Sequence, residues 1–426
     1  MKATLKNIHK AQRAGADLIE LDIHIENGQI HVSHCNTCSK GALLEDVLDD
    51  PSLQQGDQIL FIEIKEYAVT EAFIRQLLDI FVARKSYYAR NGRPVVFRTF
   101  SGREANLIWL NRLLSQDRYQ LIHRYIRLSI LFDWDSSFKL KTYLEYIKKA
   151  HQKGYSMVEL HYRSPELFPQ IALARKLGLG LNIWTLPYTD GKAFISGFQE
   201  LSDVLTTDYL LDKSYQSIRN ADTLFYVNPA DPSSSKHPPT RSSQIARRGL
   251  VKQYVHSSPM ASEAPLPTTT LHTTSVIHPG IPRTLRIHPE QGILLHTALT
   301  FKSLSIQKGQ SAPILSQTGT LAWALSLHRP RQSKKTFLRF HVRVGTLQQS
   351  VSHPVTKWVV GKSYMLMALF NGKRKLTLWL NSRKVGRTSY RFQHNTQATT
   401  QAAFSRIVPL NGIIEMSVAK TWHQRK

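Results

Sequence analysis

Residues 1–215 alternate short apolar, strand-like runs with amphipathic helical stretches, and few folds accommodate that rhythm. The strand candidates are DLIELDIHI, QIHVSH, QILFIEIK, VVFRTF, RLSILFD, SMVELHY, GLNIWTL and DVLTTDY. QIHVSH follows DLIELDIHI across Glu26-Asn27-Gly28, a hairpin signal. Helical patterns separate the other strands. TEAFIRQLLDIFVARKSYY repeats its apolar residues at Phe73, Leu77, Ile80 and Phe81. KLKTYLEYIKKAHQKG and SPELFPQIALARKLGLG read the same way, each ending at Gly. Strands alternating with helices imply a parallel sheet, and this length suits an α/β TIM-type barrel of roughly 250 residues. A doubly wound sheet is the alternative, but no Gly-rich phosphate turn follows the first strand. Without the hairpin strand QIHVSH, seven principal strands remain where a closed barrel needs eight. The chain opens on a helix-like segment, TLKNIHKAQRAGA, so the strand expected to be missing is the first.

Beyond residue 215 the character changes. Residues 216–283 become rich in Ser, Pro and Thr and lose periodicity, as expected of a linker. Residues 284–426 consist of short alternating runs broken by Gly, Asn and Pro, which favours an all-β jelly-roll sandwich. The net charge of +26 falls almost wholly on this side. Residues 1–220 carry 28 Lys/Arg against 25 Asp/Glu, whereas residues 221–426 carry 28 against 5. Such an excess suits a polyanionic partner: acidic glycan, an anionic membrane surface or nucleic acid. Nucleic acid is disfavoured because no recognised nucleic-acid-binding motif appears. No apolar run reaches the roughly 18 residues of a membrane-spanning helix. Cys35 and Cys38 form a lone C-x-x-C, too little for a zinc site, which needs four ligands.

The chemistry concentrates in AGADLIELDIHIENGQIHVSH and QILFIEIKE. Glu20 and Asp22 lie two apart on a strand, so both point to one face, which in a barrel is the interior. Two inward carboxylates are costly unless a cation meets them, and carboxylate oxygens suit Mg²⁺ or Ca²⁺. Glu63 and Lys65 stand in the same relation on the next main strand. Glu63 is positioned to complete a three-carboxylate site and Lys65 to meet a phosphate oxygen. His34 ends the hairpin strand, where a barrel places residues at its catalytic rim.

These segments resemble the glycerophosphodiester phosphodiesterase signature: A-G-A-D leading to E-L-D, a hairpin and a histidine, then I-E-I-K. GLGLNIWTLPYTD and DVLTTDY are similar to that family's W-T-V-N and I-T-D-Y segments, in family order. The resemblance implies a TIM-type barrel with Glu20, Asp22 and Glu63 as ligands of a divalent cation, Mg²⁺ or Ca²⁺. It also implies His34 as a general acid/base, Lys65 near the phosphate, and Trp184 lining a pocket for a glycerophosphodiester or phospholipid headgroup. Two departures stand out. The family's opening His-Arg-Gly has no counterpart here, His9 lying inside the first helix, and its His-Asp is His34-Cys35. Weak or absent turnover by this chain as given is therefore expected, as for a barrel whose opening segment has been lost.

The run KWVVGKSYMLMALFNGKRKLTLWLNSRKVGR resembles laminin-G and concanavalin-A-like lectin sandwiches. Lys373, Arg374, Lys375, Arg383, Lys384 and Arg387 cluster around one hairpin, as a site for acidic glycan or anionic lipid would require. Two rival readings remain: a non-catalytic binding protein carrying a basic lectin-like module, and a phosphoinositide-type phospholipase C. A lectin-like module behind a Ser/Thr/Pro linker points to an extracytoplasmic setting, although the N-terminus carries no secretory signal pattern.

Overall fold

A computed structural model describes residues 2–34, 41–67, 69–84, 93–134, 139–187, 194–195, 197–199, 201–207, 222–227, 291–317, 321–344, 347–356, 358–372, 375–389 and 412–423. The first half is an α/β domain built on one nine-stranded sheet. Its strands are β1 (Leu18–Glu26), β2 (Gln29–Val32), β3 (Ala42–Leu43), β4 (Ile59–Ile64), β5 (Val95–Phe100), β6 (Ile126–Leu131), β7 (Met157–His161), β8 (Gly180–Trp184) and β9 (Val204–Leu205). The order is β3-β2-β1-β4-β5-β6-β7-β8-β9. From β1 through β4 to β9 every pairing is parallel, while β2 turns back antiparallel on the end of β1. Asn27 (φ 51°) and Gly28 (φ 76°) make that turn possible, since both take the left-handed backbone of a type I′ hairpin.

Helices α1 (Lys2–Arg13), α2 (Glu71–Ala83), α3 (Ala105–Leu114), α4 (Leu140–Gln152) and α5 (Leu167–Lys176) accompany the strands. Thr70 caps α2, its Oγ1 accepting from the Phe73 N–H at 3.2 Å. Phe73, Ile74, Leu77, Leu78, Ile80 and Phe81 then bury one face of it. α4 and α5 stop where Gly154 and Gly178 take positive φ. Odd and even strand residues divide cleanly. Ile19, Leu21, Ile23, Leu60, Ile62, Ile64, Val95 and Phe97 join the core beneath the helices. The alternate residues face inward.

The sheet is curled. Leu18 on β1 and Val204 on β9 line one apolar cavity with Ile59, Phe61, Val96 and Met157. A flat sheet would hold strands six places apart at about 29 Å. Among the described strands β1 and β9 do not pair, so the parallel wall has seven strands, as the sequence led us to expect.

The second half is a β-sandwich. β10 (Asp222–Val227), β19 (Gly412–His423), β11 (Gln291–Phe301), β16 (Ser363–Phe370), β17 (Lys375–Leu380) and β18 (Arg383–Ser389) form a six-stranded antiparallel sheet. β12 (Gln310–Gln317), β13 (Leu321–Arg329), β14 (Phe337–Val344) and β15 (Leu347–Pro354) form the four-stranded one. Trp323, Leu325, Phe340, Leu366, Phe370 and Leu378 pack between them. β10 lies inside the stretch expected to be linker, yet pairs with the last strand; the rest of that stretch is outside the described residues.

The six-stranded sheet is covered on both faces. Leu294, Ala298, Met365, Met367 and Trp379 on its outer side belong to the same core as the barrel helices. Trp379 meets Phe194 at 5.7 Å between ring centroids, and His296 donates from Nδ1 to the Gly197 carbonyl at 2.7 Å. The approach is close at Gly197, where a Cβ would come within 2.6 Å of Met367 Cε and force that methyl to move. The Ser363 N–H reaches Glu166 Oε2 at 3.3 Å, just before α5. The sandwich therefore packs directly on the barrel.

Candidate active site

The inward residues form layers. At the N-terminal end of the strands, Phe61, Val96, Met157 and Val204 make an apolar plug. One step up stand Glu20, Glu63, Arg98, Ser129, Glu159 and Asn182, and one further step up Asp22, Lys65, Phe100, His161 and Trp184. These levels run obliquely to the strand register, which pairs Glu20 with Phe61, Asp22 with Glu63, Glu63 with Arg98, Glu159 with Asn182 and His161 with Trp184.

Arg98 is the hub of the polar layer, its side chain only 3% exposed. It donates to Glu63 Oε2 at 2.9 Å, to Glu159 Oε2 at 2.8 Å, and to Glu20 Oε1. Glu159 is fully buried and also accepts from Ser129 Oγ at 2.7 Å and Asn182 Nδ2 at 2.5 Å. Burial works against the charge on Arg98, but Glu159, Glu20 and Glu63 outweigh it and raise its pKa. Burial likewise disfavours the Glu63 carboxylate, yet Arg98 and Lys65 hold its pKa below the ordinary value.

The sequence-derived residues do meet. Glu20, Asp22 and Glu63 each offer an oxygen within 4.8 Å of the others. Lys65 Nζ lies 2.6 Å from Glu63 Oε1 and 3.5 Å from Asp22 Oδ1. His34 Nδ1 sits 2.6 Å from Asp22 Oδ2, with the imidazole otherwise in solvent. Trp184 ends β8 and packs edge-on to Phe100 at 5.6 Å, so it belongs to the mouth as well. Cys35, Cys38, Lys373 and Arg374 lie outside the described residues.

The charges here do not balance. Four carboxylates, Glu20, Asp22, Glu63 and Glu159, face two basic side chains, Arg98 and Lys65. The pKa values register the deficit. Glu20 is pushed up to about 7, first by burial, against Arg98, and then by Asp22, Glu63 and Glu159. Asp22 is raised by burial and by Glu63, against Lys65 and His34. Glu20 keeps a third of its side chain exposed by area while protein encloses its other sides. Asp22 Oδ1 and Glu63 Oε1 are buried against the Lys65 ammonium, which lies closer to Glu63. Oxygen-rich and acidic, with the Asp22 and Glu63 oxygens converging on one ammonium, the cluster fits a hard divalent cation.

Sequence reasoning missed Arg98, Glu159, Asn182 and His161. The signal was present in VVFRTF and SMVELHY, where a charged residue interrupts an apolar strand at an inward-facing position.

No known family's sequence profile matches the chain, and no curated protein does. Solved glycerophosphodiester phosphodiesterases do align with the N-terminal half. One from Parabacteroides distasonis is 18% identical, covering 50% of this chain and 87% of its own, with a TM-score of 0.37. One from Agrobacterium tumefaciens is 17% identical, covering 47% and 87%, with a TM-score of 0.30. Another 32% of the chain aligns with 52% of β-agarase B from Zobellia galactanivorans at 12% identity, with a TM-score of 0.18. At these scores the likeness carries no argument, and the chemistry rests on the site's own residues.

Proposed function

We propose that the barrel half is a divalent-cation-dependent phosphodiester hydrolase of the glycerophosphodiester phosphodiesterase type. The observation that carries this reading is the convergence of Glu20, Asp22 and Glu63, with Lys65 and His34 on the same carboxylates, at the mouth of the curled sheet. The three carboxylates would hold Mg²⁺ or Ca²⁺. When bound, the cation supplies positive charge against the phosphoryl oxygens.

The chain's own groups account for the rest. Lys65 sits where it can share its charge between the carboxylates and a phosphate oxygen, lowering the cost of bringing an anion to an acidic site. Asp22 engages His34 at Nδ1, which leaves Nε2 to take or give the proton. Trp184 and Phe100 wall the opposite side and exclude water from the reacting ester. His34 is the one histidine on the carboxylate cluster among the described residues. Cleavage needs both a proton acceptor and a donor to the leaving alcohol, and each absent partner costs about 10²–10⁴-fold in rate. Slow hydrolysis is the expected behaviour. The glycerophosphodiester or phospholipid headgroup is the substrate class this reading implies.

Hydrolysis of glycerophosphocholine with Mg²⁺, Ca²⁺ or chelator tests it. Slow, metal-dependent turnover that falls further in His34→Ala is expected. Turnover that survives chelation, or is unaffected by Glu63→Gln, contradicts it.

A further inference from the structure

The barrel mouth has two unlike sides. Asp22, Lys65 and His34 make one, on β1, β4 and the end of the hairpin. The other, on β5 to β8, is aromatic: Phe100, Trp134, His161 and Trp184. These sides are contiguous. Lys65 Nζ lies 5.7 Å from the centre of the Phe100 ring, Phe100 touches Trp184, and Trp184 meets the His161 ring edge-on at 5.0 Å. Trp134 stacks on the other side of His161 at 5.1 Å.

His161 is held in one state. The Arg163 N–H donates to its Nδ1 at 3.2 Å, so in the neutral ring the proton sits on Nε2. Burial first, then the Arg163 charge, pushes its pKa down to about 4, which keeps the ring neutral. No other hydrogen bond engages the ring among the described residues, and Nε2 is not fully enclosed. Trp184 Nε1–H is a second donor: it is buried and without a partner among the described residues. A histidine serving only to pack a core would have no reason to end in an open donor at the mouth, two residues above Glu159 on the inward face of β7.

We propose that His161 contacts the substrate, its Nε2–H donating to an oxygen of the ligand on the aromatic side of the mouth. This inference rests on the phosphodiesterase reading and adds a residue to it. The wall offers donors, with Lys65 and Arg163 flanking it, so it selects an oxygen acceptor. The acceptor is either a phosphoryl oxygen or a hydroxyl oxygen of the alcohol. A neutral imidazole cannot protonate the leaving group efficiently. Its contribution is to fix the ligand and stabilise charge building on oxygen.

Long-range ¹H–¹⁵N spectra of the full chain labelled at histidine read the ring directly, with His161→Gln identifying its signals among those of 18 histidines. The expected result is an Nε2–H tautomer at neutral pH whose Nε2 signal shifts on adding glycerol 3-phosphate. A matching shift with inorganic phosphate assigns the acceptor to the phosphoryl group. A shift with glycerol but not phosphate assigns it to the alcohol. An Nδ1–H tautomer, or a signal unmoved by all three ligands, overturns the proposal. Glycerol 3-phosphate affinity should fall about tenfold in His161→Ala and recover in part in His161→Gln, which keeps a donor. Titrating Mg²⁺ into the same sample separates the two claims. Mg²⁺ binding with a silent His161 refutes this assignment alone; a responsive His161 without Mg²⁺ binding refutes the phosphodiesterase reading alone.

Discussion

The two halves of this molecule handle charge in opposite ways. The sandwich carries most of the chain's positive excess, yet the core between its sheets is apolar. The barrel is nearly neutral, yet it buries Arg98, Glu63 and Glu159 in its centre. Interior charge is costly unless paired, and where an apolar filling would serve stability as well, its presence points to chemistry. Surface charge implies much less. Arg383, Lys384 and Arg387 lie exposed along β18, an edge strand of the six-stranded sheet. Cations on an edge strand hinder pairing with another chain, which accounts for that cluster without any ligand.

The comparison can be broken at several points. Arg98→Met removes the cation from between Glu63 and Glu159. It should cost about 3–5 kcal/mol in denaturant unfolding, because it strands buried carboxylates. A loss below 1 kcal/mol would mean that the network is solvated and the contrast false. Trp379→Ala, on the apolar seam between the halves, should cost about 3 kcal/mol. It should lower the melting temperature of the whole chain in one transition; separate transitions in the wild type would show that the halves unfold independently.

Ion and pH effects come next. Saturating Mg²⁺ at about a hundred times its dissociation constant should stabilise the chain by roughly 2.7 kcal/mol. In chelator Glu20 contributes a pH trend of its own. With its folded-state pKa near 7 against an ordinary 4.5, the folded chain holds a proton that the unfolded chain has lost across that window. Its contribution to stability therefore declines as pH rises from about 4.5 to 7, and the raised pKa of Asp22 adds in the same direction. The difference between wild-type and Glu20→Gln melting curves in chelator should show this decline, since His161, its pKa pushed down to about 4, works the other way over the same window, and Mg²⁺ should flatten that difference. The smallest effect belongs to the sandwich edge. Replacing Arg383, Lys384 and Arg387 by Ala should change stability by no more than about 0.5 kcal/mol per site while promoting self-association in sedimentation.

Much of the barrel was legible in sequence because its signals are local: strand-and-helix alternation, an Asn-Gly hairpin, and carboxylates spaced by two. Spacing also brought Glu20, Asp22, Glu63 and Lys65 together once β1 and β4 paired in register. What stayed hidden depends on residues far apart in the chain. Arg98 reaches Glu20 and Glu159 across two strands on either side, which only the curl of the sheet makes possible. The seam between the halves was written in SYMLMALF, an almost unbroken apolar run. Read as alternating, it suggests a sandwich strand with one face in water; unbroken, it marks a strand covered on both faces. β10 escaped notice because six residues beside a Ser/Pro-rich tract acquire meaning only when β19, nearly 200 residues later, pairs with them.

The most direct test of the central claim is Mg²⁺ and Ca²⁺ calorimetry on the full chain, wild type against the Glu20→Gln/Asp22→Asn double variant. The account predicts one divalent site in the wild type and none in the folded double variant. A folded wild type that binds neither ion, or a double variant that binds as well as the wild type, would contradict it.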